Sequence, residues 1–318
     1  MPVTSPRIRS VTVSVSTAPR ITRLHFDELP CWRIETSGAE LLVAEQGAQI
    51  LRYQRHGEPP LIWLSEQARG QPGQAPRGGV PVCWPWFGDL ARNPAALLAQ
   101  YRGEAAPFHG LVRNLAWECR VQSVDGDEAY LRLACPQAEQ GLPGWPHAVD
   151  VELEIRLGER LQIELHSHNR GQRPVWISQA LHSYFAVSDI HAVTVQGLQG
   201  CRYIETLDGW QERRQEQPLR FFAETDRLYL DLPAQLELHD SGWQRRICLH
   251  SRQSRSAVLW NPWIDKARRL SQFAEDAWQR MLCIETANVW DDCVQLPAGE
   301  RHSLDLCLWS EALDSRSA

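Results

Sequence analysis

The sequence predicts an all-β fold, a single-domain antiparallel β-sandwich carrying a few short helices. Three observations lead there. Apolar and polar residues alternate with a period of two along many short runs, the pattern of strands with one buried face. Those runs recur at fairly regular spacing between turn-forming residues, as in sandwiches and barrels. No internal repeat and no linker divides the chain, and 318 residues at 43% hydrophobic content supply one large core.

In chain order, the first twenty residues hold Arg7, Arg9 and Arg20, many Ser and Thr, and no acid. That composition superficially fits a transit peptide, but Val11, Val13 and Val15 alternate with polar residues, so 1–22 reads as a tail or an edge strand. The sandwich is expected over 23–312. Short alternating runs fall at 32–36, 39–44, 114–124 and 129–135. Val149, Val151, Leu153, Ile155 and Leu157 interleave with Asp150, Glu152, Glu154 and Arg156, the clearest half-buried strand. After a turn at Gly158-Glu159 the pattern resumes with Leu161, Ile163 and Leu165. An apolar strand spans Val175 to Leu181, and further runs lie at 235–239, 245–250 and 303–309. The helix candidates are 90–101 and, weaker, 274–280. Stretches 65–78, 136–147 and 205–218, rich in Gly, Pro, Gln or charge, read as long loops.

Composition narrows the function. A net charge of -6 argues against a nucleic-acid surface, though a small phosphate needs only two or three cations gathered in one place. Nine cysteines without a CxxC pair read as reduced thiols in a cytoplasmic protein rather than a disulfide scaffold or zinc site. No apolar run approaches a membrane span. Fourteen tryptophans are the outlier; flat apolar faces suit sugar C–H surfaces, although core packing accounts for most tryptophans in most proteins.

Five segments stand out for chemistry. Arg77-Gly78-Gly79-Val80-Pro81-Val82-Cys83-Trp84-Pro85-Trp86-Phe87-Gly88 combines a freed backbone, two stiffening prolines and three aromatics, and reads as a rigid pocket wall. The others are Phe108-His109-Gly110-Leu111-Val112-Arg113-Asn114, Leu181-His182-Ser183-Tyr184-Phe185, Trp260-Asn261-Pro262-Trp263-Ile264-Asp265-Lys266 and Cys283-Ile284-Glu285-Thr286-Ala287-Asn288-Val289. His182 ends an apolar strand, where a turn toward Ser183 would present it at the sheet rim. Taken alone, such a histidine is more often structural. Glu285 follows the apolar run Met281 to Ile284, so burial should raise its basicity, although a strand-end glutamate paired with arginine is an equal reading. Arg77 and Arg113 offer paired donors suited to phosphate oxygens, but surface arginines are usually just solvated.

In this order and at these separations, the five segments resemble the sugar-phosphate mutarotases of the aldose 1-epimerase superfamily, over roughly residues 30–310. The resemblance implies a galactose-mutarotase-like sandwich (the supersandwich type) and interconversion of the α and β anomers of a hexose 6-phosphate, with glucose 6-phosphate foremost. It implies His182 as general acid and Glu285 as general base. It also implies Arg77 and Arg113 on the 6-phosphate, with Lys266 as a weaker assistant, and His109 on a sugar hydroxyl. Glu205 aligns with an acidic sugar-binding residue that is more often aspartate. Phe108 stands where a relative with glutamine would make a polar contact, and is taken as pocket wall. No metal or other cofactor is expected, no nucleic-acid or membrane partner, and a monomer is the default.

Three rivals differ in what they would need. An aldose 1-epimerase on unphosphorylated sugars has no use for an arginine pair. A silent sugar-phosphate binder or regulator has no use for a matched acid and base. A lyase or glycosidase would show a carboxylate pair or a metal, and none is recognisable. His166 and His168 share a strand face without a third ligand nearby and read as solvated. The basic cluster Arg252, Arg255, Arg268 and Arg269 is diluted by Asp265, Glu275 and Asp276.

Overall fold

The computed structural model describes residues 18–313. Strands β1 (Arg20–Phe26), β2 (Leu29–Glu35), β3 (Ala39–Ala44) and β4 (Ile50–Arg55) form an antiparallel meander with β1 at its edge. The alternation at 11–15 lies outside the described residues. A two-residue β5 (Val82–Cys83) follows the glycine-rich loop. Then come β6 (Glu118–Asp125), β7 (Glu128–Ala134), β8 (Val149–Leu157) and β9 (Leu161–Asn169), each paired with the next. Short strands β10 (Val175–Ile177), β11 (Gln179–Leu181), β12 (Tyr184–Ala186), β13 (Val193–Gln196), β14 (Arg202–Glu205) and β15 (Gln211–Arg214) follow. The remainder is β16 (Thr225–Leu230), β17 (Gln235–Asp240), β18 (Arg245–His250), β19 (Ser256–Asn261), β20 (Met281–Asn288), β21 (Val294–Leu296) and β22 (Arg301–Ala312).

Two eight-stranded antiparallel sheets dominate. One has the order β15-β14-β16-β19-β20-β11-β5, with β12 also on β20; the other runs β13-β17-β18-β22-β9-β8-β7-β6. Strand alternation sends one face of each into a common core. Leu153, Ile155, Leu165, Leu304 and Leu306 of the second sheet join Tyr229, Leu259 and Ile284 of the first in one buried cluster. Each such side chain contributes about 1.5–3 kcal/mol by leaving water. On its other face, the first sheet carries a smaller apolar patch of Ile204, Leu228, Val258 and Ala287. That patch is the floor on which the site is built.

The helix expected at 90–101 is broken in two. Leu90–Arg92 is a single 3-10 turn and α1 is only Ala95–Leu98, because Pro94 forces Asn93 into extended backbone (φ -86, ψ 165). Residues 277–280 likewise make only a 3-10 turn, and the clearer helix is α2 (Trp263–Ala267). The strand expected at 114–124 begins at Glu118. Val175–Leu181 is divided at Ser178, with β10 on β21 and β11 between β20 and β5. The loop read at 205–218 holds β15, whose side chains are all exposed, so it left no apolar alternation to read. Among the described residues, no helix is long and apolar enough to cross a membrane.

The glycine-rich loop owes its path to close backbone contact. A Cβ on Gly79 (φ +72) would sit 2.1 Å from the Ile50 carbonyl oxygen, and one on Gly110 (φ +82) 2.1 Å from that of Trp84. Two of the three loop aromatics are not pocket wall. Trp84 packs edge-on against Trp145 at 4.9 Å and donates to Ser167 Oγ; Trp86 packs on Tyr101 and donates to the Pro107 carbonyl. Both are fully buried, each satisfying its indole N–H within the core. Gly79→Ala and Gly110→Ala are each expected to lose at least about 2 kcal/mol of stability in urea unfolding. Gly57→Ala shares a positive φ (+79) but meets nothing within 4 Å, so it should lose only about 1 kcal/mol.

Candidate active site

The site is set by the register of β20 with its neighbours. Leu181 of β11 lies opposite Thr286, and Tyr184 of β12 lies opposite Cys283. The same register places His182 opposite Glu285. Directly opposed residues of an antiparallel pair project from the same face, within about 4.5–5.5 Å at Cβ. The regular ladder opens at this point. His182 N–H donates to the Pro81 carbonyl (3.0 Å), Ser183 N–H turns back to the Leu181 carbonyl (2.8 Å), and Ile284 N–H reaches the Ser183 carbonyl (3.2 Å). His182 is therefore inside the sheet, at a break between two strands, rather than at its rim.

His182 Nδ1 lies 3.4 Å from Glu285 Oε2. Both atoms are buried without a hydrogen-bond partner, in residues 6% and 2% exposed. Burial dominates their acid–base behaviour: it pushes the Glu285 carboxyl well up, with Asp226 adding and Arg113 opposing. It pushes the His182 imidazole well down, with the charges of Arg113 and Arg77 adding. Desolvation thus favours the neutral form of each. Tyr184 stacks on the His182 ring at 4.8 Å, and His109 meets it edge-on at 5.1 Å.

Around this pair is a cavity of about 530 Å³, within the common range for small-ligand sites. Of the residues expected from sequence, Arg77, Phe108, His109, Arg113, His182 and Glu285 line it, together with Lys266. His109 has a left-handed backbone (φ 66), and its Nδ1 accepts from the Gly88 N–H at 3.2 Å. Its Nε2 therefore carries the proton as a neutral donor; burial first, then His182, Arg113 and Arg77, hold its pKa well below the usual value. Phe108, 63% exposed, stands at the mouth. Arg77 gives its Nε to the Ser271 carbonyl at 3.3 Å, and Arg113 Nε is buried without a partner. Among the described residues neither guanidinium is paired with a carboxylate. Lys266 differs, its Nζ lying 3.1 Å from Glu224 and 3.7 Å from Asp226.

Glu205 is not in the cavity lining. It faces Arg227 across the β14–β16 pair, and its carboxylate accepts from Arg227 Nε at 2.8 Å. Strand alternation puts both on the opposite face from Ile204 and Leu228. The acid present on this side of the cavity is Asp226, one register step on, with Thr206 donating its hydroxyl to the Asp226 carbonyl. Sequence reading missed Asp226; its alternation with Leu228 and Leu230 was the available signal. It also missed Arg92, Trp210 and Trp290, and gave Trp260 no role beyond its place in a motif. Trp210 and Trp290, both at positive φ (60 and 57), stack at 5.7 Å, with Arg92 over Trp210 at 5.0 Å. Holding two bulky residues there costs about 1–3 kcal/mol each. The decoys behave structurally: His166 Nδ1 meets Ser303 Oγ at 2.7 Å and His168 Nδ1 meets Asp150 at 3.2 Å.

Comparison with known proteins agrees with this geometry. The family model described as aldose 1-epimerase matches residues 30–309. An Escherichia coli K12 protein named "Putative glucose-6-phosphate 1-epimerase" is 31% identical over 282 residues, covering 88% of this chain and 90% of the relative. A Cenchrus ciliaris protein of the same name is 32% identical over 270 residues, covering 80% and 76%. The crystal structure titled as a "putative mutarotase (YeaD)" from Salmonella typhimurium superposes with a TM-score of 0.81 at 29% identity, covering 92% of this chain and 94% of that one. Sandwich, match and relatives coincide: the chain belongs to the aldose 1-epimerase family and is an isomerase of the mutarotase kind.

Proposed function

We propose that the chain interconverts the α and β anomers of a hexose 6-phosphate, with glucose 6-phosphate the first candidate, by acid–base ring opening at His182 and Glu285. The observation that carries this reading is the cross-strand pair itself. An acid and a base 3.4 Å apart share one cavity with two arginines that no carboxylate neutralises. O1 and O5 of a pyranose are bonded to the same carbon, so the two groups serving them must share one small volume, as these do.

Glu285 removes the proton of the anomeric hydroxyl while His182 gives a proton to O5, and the C1–O5 bond breaks. The open aldehyde turns about C1–C2, and the same transfers in reverse close the other anomer. No electrons are gained or lost, so the chemistry calls for no redox cofactor. The pair needs one proton between its two members, and burial alone favours neutral carboxylic acid beside neutral imidazole. A phosphoryl dianion on Arg77 and Arg113 offsets the charges that oppose imidazolium, and so favours the state in which His182 holds the proton. The His109 Nε2–H is a donor to a sugar oxygen. Supporting the phosphorylated substrate are two arginines in the cavity lining that, among the described residues, pair with no carboxylate, and the names of the relatives.

Magnetisation-exchange NMR tests the substrate. Exchange between the anomers of glucose 6-phosphate should be accelerated, and that of glucose much less; equal acceleration of both would discard the phosphate. Glu285→Gln should lower exchange at least about 100-fold while largely sparing binding, and His182→Asn should behave alike. A variant of either residue that keeps its rate would remove it from the chemistry. Arg77→Ala and Arg113→Ala should instead weaken hexose-phosphate binding by about 1.5–3 kcal/mol, measured by calorimetry. If binding of the phosphate ester is unaffected by both, the arginines do not hold the 6-phosphate.

A further inference from the structure

The ring-opening chemistry leaves one buried nucleophile beside the pair without a task. Cys283 stands on β20 two residues before Glu285, so both side chains leave the same face of the strand. It is fully buried. One donor atom from each of His182, Cys283 and Glu285 lies within 4.8 Å of the other two. His182 and Glu285 each carry a buried atom that lacks a hydrogen-bond partner, Nδ1 and Oε2. Their 3.4 Å separation is what a tetrahedral zinc ion requires, since bonds of about 2.0–2.2 Å place neighbouring ligand atoms roughly 3.3–3.6 Å apart. Bringing the sulfur into place needs a shift of roughly 1 Å at most, given its longer bond of about 2.3 Å. A nitrogen, a thiolate and one carboxylate suit zinc, whereas calcium and magnesium want a shell of oxygens. His182 and Glu285 line the cavity, so the fourth coordination position opens toward it.

We propose that His182, Cys283 and Glu285 form an inhibitory site for a thiophilic divalent cation, zinc in particular, on the floor of the substrate cavity. Binding replaces the thiol proton, which leaves to solvent, and engages the imidazole lone pair and the carboxylate that ring opening uses. The ion is therefore an inhibitor that competes with substrate, not a cofactor. The site itself does not depend on which sugar the enzyme takes.

Cobalt(II) is the spectroscopic probe, added to the full-length protein. Tetrahedral ligand-field bands together with a sulfur-to-cobalt charge-transfer band are expected, both displaced by zinc and both lost in Cys283→Ser. Saturating zinc should slow anomer exchange about tenfold or more, reversibly with EDTA. Even loss of a supporting partner beyond the ligands costs about 10–100-fold in metal affinity, so Cys283→Ser should raise the zinc inhibition constant at least about tenfold. A wild-type protein without the charge-transfer band, a band that survives the substitution, or an unchanged inhibition constant would overturn the site. Should the variant fail to fold, zinc-edge X-ray absorption on the wild type decides: one sulfur among nitrogen and oxygen ligands supports it, and none or several overturns it. Absence of exchange on every sugar phosphate would count against the proposed reaction, while the cobalt spectra would still decide the metal site.

Discussion

One hydrogen-bond register holds the candidate active site together. Because β11 and β12 meet β20 in the same frame on both sides of the break, His182 and Glu285 are opposed although more than a hundred residues separate them in sequence. A slip of one residue would turn the carboxylate into the core between the sheets, where Ile284 now packs. The side chains of that core therefore do more than supply stability. Leu259, Ile284 and Tyr229 on one face fix which residues look out from the other. The placement of His182 and Glu285 is a consequence of packing on the reverse side of the same strands.

The second constraint is electrostatic. Burial drives the acid and the base toward their uncharged forms, while Arg113 favours the carboxylate and, with Arg77, opposes the imidazolium. Among the cavity-lining residues Arg77 and Arg113 carry charge that no described carboxylate pairs with, whereas Lys266 is already engaged by Glu224 and Asp226. Such uncompensated charge attracts anions in general, and the lysine, already paired, has less of it to offer than either arginine.

Much of this was legible in the sequence, and the failures have physical causes. The alternation at 149–157 appears unchanged as β8, because one face is buried and the other solvated throughout. Motif order singles out His182 and Glu285, but that they face each other follows from a register no spacing reveals. Glu205 was misplaced by one position: its side chain points away from the cavity and its charge is met by Arg227. Asp226 was overlooked because an acid among Glu224, Thr225 and Arg227 resembles an ordinary solvent-facing residue. Trp84 and Trp86 were read as pocket wall from composition, whereas their indole N–H groups are satisfied inside the core. The helix at 90–101 failed at Pro94, a stop signal visible in the sequence itself.

The His182 amide bond to the Pro81 carbonyl has a further meaning. Tyr184 N–H also donates to the Gly79 carbonyl (2.9 Å), so the segment bearing the acid is stitched at two points to the loop that starts with Arg77. The positions of Arg77 and His182 are thus coupled through backbone hydrogen bonds, and a shift of one segment is passed to the other. Divergence toward a differently shaped sugar meets less resistance across the cleft, where Thr206, Trp210 and Asp226 come from separate strands and turns. One side of the cavity is built from segments tied to each other, the other from segments that can be altered one at a time.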